Sequence, residues 1–190
     1  MEALPLLLIH GIGSTRAFWD PIVPMLGDSF TCVAIDVPGF GAASPIGAPV
    51  TVARLAAAIA EDDRGPVVVV GHSLGGMIAQ ELALLAPDRV RGLVLCNTIP
   101  GVTDGAREFN PVLADLAEAH GAGAAAEALL PAMFGPRPLE NTEPARERFL
   151  VDMRSSATAS LAAAFRAVLS FDARDRLPSL RDAGMPALVV

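Results

Sequence analysis

Four short apolar runs, Leu6 to His10, Thr31 to Asp36, Val67 to Gly71 and Val90 to Asn97, each end at a turn-forming or polar residue and are spaced by helix-length segments. Runs of this length in aliphatic and β-branched residues read as strands buried on both faces, and strands separated by helices pair in parallel through right-handed crossovers. The intervening segments fit. Arg16 to Leu26 reads as a helix that must accommodate Pro21 and Pro24, Thr51 to Glu61 as a helix with Thr51 as its N-cap, and Ser73 to Ala86 as a helix stopped by Pro87. The order β-α-β-α-β-α-β predicts the α/β class: an open, mostly parallel sheet with helices on both faces.

From Thr103 to Ser170 the strand signal stops. Ala-rich stretches with apolar i, i+4 pairs, Phe149 with Met153 and Leu161 with Phe165, predict a helical insertion that Gly121, Gly123, Pro131, Gly135, Pro136 and Pro138 divide into short helices. Beyond Asp172 an arginine-bearing stretch leads through Pro186 into Ala187-Leu188-Val189-Val190, which reads as a further buried strand. The expected organisation is a core of residues 1–102 and 171–190 interrupted by a helical unit at 103–170.

Composition removes several alternatives. A chain of 190 residues with 52% hydrophobic residues fits one well-filled domain and not a disordered one. Its longest apolar runs are far below the roughly 20 residues that cross a bilayer, so no membrane partner is expected. A net charge of −7 without any basic run offers nucleic acid no surface, leaving a small-molecule substrate as the expected partner. All fourteen basic residues are Arg, which excludes Schiff-base chemistry and a phosphate-loop lysine. Cys32 and Cys96 lie inside apolar runs and read as buried free thiols, and Met1-Glu2-Ala3-Leu4-Pro5 lacks the basic start of a signal peptide, so a cytoplasmic location is expected. Three scattered histidines have no metal-ligand spacing, and neither metal nor other cofactor is expected.

The chemistry-bearing signal is Gly71-His72-Ser73-Leu74-Gly75, between the run Val67 to Val70 and a helical pattern. A G-x-S-x-G sequence in that setting places its serine on a sharp strand-to-helix turn, a nucleophile elbow, with flanking glycines leaving room for the crowded backbone. Ser73 is the candidate nucleophile, and the Leu74 N–H at the helix start is a candidate oxyanion donor. His10-Gly11-Ile12-Gly13 ends the first strand, and its turn can swing the Ile12 N–H toward the serine to complete an oxyanion hole. His10 and His72 are read as structural, because neighbouring side chains on an extended strand point to opposite faces. Asp36 heads the turn Val37-Pro38-Gly39-Phe40-Gly41 and is likewise read as structural, accepting hydrogen bonds from the turn's own N–H groups.

These three motifs, in this order on these strand ends, resemble the α/β-hydrolase superfamily of serine hydrolases, and the stretch from Gly75 to Asn97 with Phe171 to Leu177 resembles its 3-oxoadipate enol-lactonase and esterase-like members. The resemblance implies cleavage of a carboxylic ester or lactone through an acyl-Ser73 intermediate, and makes residues 103–170 a helical cap over the serine. Met133, Phe134, Phe149, Met153 and Phe165 would then either wall the cavity or simply fill the helical interior. In that family the acid and the histidine follow the serine from loops after later strands. Here His120 is the only histidine after Ser73 and falls in the cap segment, and Asp104, Asp172 and Asp175 do not occupy the acid position. The expectation is a chain lacking both ends of the domain and inactive by itself.

Two other readings stand beside it. One is a non-catalytic domain of the same fold. The other is a dinucleotide-binding unit, imitated by Gly11-Ile12-Gly13 followed by Asp36, although Arg16 replaces the third glycine of that fingerprint.

Overall fold

A computed structural model describes residues 4–62, 65–135 and 142–190. Five strands, β1 (Leu4–Ile9), β2 (Phe30–Ile35), β3 (Val67–His72), β4 (Val90–Cys96) and β5 (Ala187–Val189), form one sheet in the order β2-β1-β3-β4-β5. Every pairing is parallel, with Leu7 opposite both Val33 and Val69, and Val69 opposite Leu93. The expected α/β sheet is thus present, reversing direction of growth at β1 and β3, whose carboxyl ends lie at its centre.

Strand alternation divides the core. Leu7, Ile9, Val67 and Val69 face α2 (Val52–Ala60) and α3 (Leu74–Leu85), whereas Leu6, Leu8, Cys32, Ala34, Val68 and Val70 face Phe18 and Trp19. α2 buries Val52, Leu55, Ala56 and Ile59, an i, i+3, i+4, i+7 stripe, and Thr51 Oγ1 caps it by accepting the Arg54 N–H. α3 has no polar face over most of its length: residues 74–83 are all buried, including Gln80 and Glu81. Glu81 is charge-paired to both terminal nitrogens of Arg176, at 2.8 and 2.5 Å, and Gln80 Nε2 donates to the carbonyls of Gly76 and Ile99.

The helical segment comprises α4 (Asp104–His120), α5 (Ala122–Phe134), α6 (Glu143–Ser155) and α7 (Thr158–Val168). Alanines at 114, 117, 125, 126, 162 and 164 are buried between these helices and let them approach closely. Gly121, at φ 84°, makes the turn between α4 and α5. Entry and exit of the segment are stitched together: Val102 N–H donates to Phe171 O, and Ala173 N–H to Pro100 O. A short helix α8 (Leu177–Asp182) then leads to β5.

Four local expectations need correction. Arg16 to Leu26 is not one helix but a 3-10 turn (Arg16–Trp19) and a single α turn, α1 (Val23–Leu26), because prolines at 21 and 24 remove amide donors. Pro131 and Gly123 lie inside α5 instead of dividing the segment, while Pro136 and Pro138 lie outside the described residues. Cys32 and Cys96 are only half-buried. The strand at 187–189 forms but is exposed, with Leu188 and Val189 at 58% and 72%, since it occupies the edge of the sheet.

Candidate active site

β3 runs into α3 without a connecting loop, and Ser73 makes the turn alone with φ 53° and ψ −117°. Such a conformation in a residue other than glycine costs roughly 1–3 kcal/mol and persists only where its surroundings fix it. They do so from both sides. The Ser73 N–H donates to Cys96 O at 3.0 Å, and Thr98 Oγ1 donates to Ser73 O at 2.7 Å. The glycines explain themselves at this crossing: a Cβ at Gly75 would lie 2.2 Å from Ile9 O, and one at Gly71 2.3 Å from Gly75 O. The start of α3, with Leu74 as its first residue, therefore rests directly on the end of β1.

The loop after β1 borders the same space. Gly11, Ile12, Gly13, Ser14, His72, Ser73 and Asn97 line a cavity of about 680 Å³, opposite Leu129, Met133 and Phe134 of α5 and Arg148, Phe149 and Asp152 of α6. The walls are mostly apolar and aromatic, as in small-molecule sites generally. Of the five residues of the helical segment left open by the sequence, Met133, Phe134 and Phe149 line this cavity, whereas Met153 and Phe165 are fully buried packing residues.

The three histidines differ in what they can do. His10 is fully buried, with Nδ1 2.8 Å from Gly11 O and Nε2 2.9 Å from Val37 N. The Val37 amide can only donate, so Nε2 accepts and the proton resides on Nδ1, where it donates to Gly11 O. Both nitrogens are thus committed to joining the loop after β1 to the Val37 turn. His72 stacks on Phe18 at 4.7 Å between ring centres, and its buried Nδ1 has no partner. Burial holds both imidazoles below their usual range. His120 is exposed at the end of α4 and is not among the cavity-lining residues. No hydrogen bond joins Ser73 Oγ to any of the three.

Asp36 accepts the Arg16 N–H at 2.7 Å and the Ala42 N–H at 3.0 Å. Burial pushes its carboxyl up, but those two donors and the Arg16 guanidinium outweigh it and hold the carboxyl below the usual range. Each of its oxygens thereby accepts one backbone N–H, and the carboxylate braces two loops. Asp172 is exposed and paired with Arg174, and Asp104 and Asp175 are exposed; none of them lines the cavity. Among the described residues no three His, Cys, Asp or Glu side chains cluster as a metal site, and no helix is long and apolar enough to cross a membrane.

Several cavity residues escaped the sequence reading. Asn97 has φ 45°, a second strained position on the same wall, and Thr98 braces the elbow. An Asn-Thr pair closing an apolar strand was the available signal. Nothing local pointed to Asp152, whose hydrogen-bond partner Ser14 is 138 residues away.

The family model described as "Alpha/beta hydrolase family" matches residues 6–190. Pimeloyl-[acyl-carrier protein] methyl ester esterase of Klebsiella pneumoniae is 36% identical over 95 residues, half of this chain and 37% of that enzyme, so the match spans well under half of the relative. Among solved structures, a hydrolase from Pseudomonas aeruginosa superposes with a TM-score of 0.87 at 33% identity, covering 99% of this chain and 71% of its own. The enol-lactonase from Burkholderia xenovorans gives a TM-score of 0.88 at 25% identity, covering 100% and 72%. Sheet order, elbow and family match agree, and the chain belongs to the alpha/beta hydrolase family.

Proposed function

We propose that the chain carries the nucleophile and oxyanion hole of a serine hydrolase that cleaves a carboxylic ester or lactone through an acyl-Ser73 intermediate. The observation that carries this reading is the strained Ser73 turn opening onto an apolar cavity. In it, Ser73 Oγ attacks the ester carbonyl and the Ile12 and Leu74 N–H groups receive the charge that develops on the carbonyl oxygen, aided by the amino-terminal end of α3. The carbonyl–oxygen bond to the leaving group then breaks, and the alcohol departs with the proton given up by Ser73; for a lactone it stays on the acyl chain as a hydroxyl. Water hydrolyses the acyl-Ser73 ester to release the acid and restore the serine hydroxyl. His10, Gly11, Gly13, Gly71, His72 and Gly75 shape the two turns. Residues 103–170 act as a cap that roofs the cavity over a core of 1–102 and 171–190. The esterase and enol-lactonase relatives support the reaction class. Free cysteines at 32 and 96 fit a reducing cytoplasmic setting.

We infer that the general base comes from outside residues 1–190, a reading supported by His10 being fully committed and by neither His72 nor His120 being bonded to Ser73. A serine without its base is a weak nucleophile at neutral pH, so the chain alone should turn over p-nitrophenyl butyrate near the background rate. The assay is run with Ser73→Ala and His120→Ala alongside. Robust turnover abolished by both substitutions would locate the base at His120 and overturn this inference, while turnover well above background that survives Ser73→Ala would remove the nucleophile. The absent serine–imidazole bond also favours a second reading, a binding domain without catalysis, under which Ser73→Ala leaves ligand affinity intact.

A further inference from the structure

The loop after β1 is held from the roof as well as from the sheet. Gly13, at φ 68°, lies so close beneath α6 that a Cβ there would sit 1.7 Å from Met153 Sδ, and Met153 is fully buried. One residue away on each side, Ser14 Oγ donates to Asp152 Oδ2 at 3.3 Å. The Asp152 side chain is only 13% exposed, and its two oxygens also accept Arg148 Nε at 3.1 and 3.2 Å, which fixes the carboxylate's orientation. Ser14, Arg148 and Asp152 all border the cavity that holds Ser73.

A partly buried carboxylate is costly unless donors meet it, and here one of its donors belongs to the turn containing Ile12. That turn, Gly11-Ile12-Gly13, is flexible in its composition, yet an oxyanion donor is effective only when held at about 2.7–3.1 Å from the developing charge. His10 restrains the turn at Gly11 from the sheet side. On the far side the restraint comes from α6.

We propose that Asp152 is a positioning residue: acting through Ser14, it fixes the Ile12 turn, so that seating of the cap and completion of the oxyanion hole are a single event. This rests on the serine-hydrolase reading. A merely structural Asp152 would stabilise cap docking without distinguishing a tetrahedral ligand from a neutral one.

The test uses butylboronic acid on the 190-residue chain, followed by ¹¹B NMR and calorimetry. Ser73 Oγ forms a bond to boron, its proton passes to solvent, and the trigonal boron becomes a tetrahedral anion that presents an oxygen to the donors. Pentan-2-one, which fills the cavity as an uncharged ligand, is the reference. Both residues border the cavity, so the readout is the ratio of the two affinities: Asp152→Ala and Ser14→Ala are each expected to weaken boronate binding about 10-fold more than pentan-2-one binding. The double variant should be no weaker than either single one, since both remove the same link. Ser14→Thr and Asp152→Asn, which retain the hydroxyl and an acceptor, should bind within about threefold of the parent and guard against a folding defect. Equal loss of both ligands, or no loss of boronate affinity, overturns the proposal. A parent chain that forms no tetrahedral adduct beyond the Ser73→Ala background overturns the nucleophile reading and the proposal with it.

Discussion

The floor and the roof of the cavity are built by opposite means. The floor is backbone against backbone: the ends of β1 and β3 meet the first turn of α3 at separations that exclude a Cβ at Gly71 and Gly75. The roof is side chain against side chain, with Phe134 and Phe149 half-buried and packed edge-on at 5.8 Å along the cavity and Met133 at 39% exposure. The contrast teaches where each part can vary. A floor set by main-chain contacts admits almost no substitution and keeps Ser73 fixed, whereas a roof of apolar side chains can be remade for another ligand.

Gly75→Ala should break the floor outright. The added methyl meets the Ile9 and His10 carbonyls, which belong to the sheet and cannot move aside, and we expect a loss above about 4 kcal/mol, read as failure of cooperative chemical unfolding. A cooperative transition at near-parental denaturant concentration would show that the floor can yield.

Acid should weaken the floor next, through its two histidines. Unfolding returns His10 and His72 to about pH 6.5, above their folded values, so below that pH the unfolded chain binds more protons and stability falls as pH drops. The slope of unfolding free energy between pH 7.5 and 5.5 should be flat above 6.5 and steepen below it, by at most about 2.7 kcal/mol per pH unit for two protons. A flat profile to pH 5.5 contradicts the neutral, buried assignment. Asp36, held low, adds a further loss only near and below its ordinary value of 3.8.

Behind the elbow, Arg176→Met leaves Glu81 buried without its cation. Because Arg176 itself is 47% exposed, the cost should be about 1–2 kcal/mol, smaller than for a fully enclosed pair, and Glu81→Leu in addition should recover part of it. Equal midpoints for parent and variant would assign the pair no role.

In the roof, Phe149→Ala should cost under about 1 kcal/mol while shifting the preferred chain length of bound alkyl ketones upward. A stability loss comparable to that of Arg176→Met would mean that the roof is as tightly built as the floor.

Much of the floor was legible because its signals are local. Strand, Gly-x-Ser-x-Gly and helix follow one another without interruption, and the Gly11 and Asp36 turns sit directly on strand ends. What escaped depends on distant partners. The exposure of Leu188 follows from the place of β5 at the sheet edge, which its own apolar sequence does not reveal. Helical spacing told that Phe149 and Met153 share a face of α6, but not that one meets the cavity and the other Gly13. Pro21 and Pro24 were visible, yet the apolar residues around them kept a helical spacing that the missing amides overrode.

Trp19 packs edge-on against Phe18 at 5.0 Å, and Phe18 lies flat on His72, the neighbour of Ser73. The chain has one tryptophan and no tyrosine, so its near-ultraviolet emission comes from that single indole, buried and without a hydrogen-bond partner for Nε1. The protein thus carries its own optical gauge: a row of three rings ends beside the serine, and any event that tilts or charges the last of them alters the light emitted by the first.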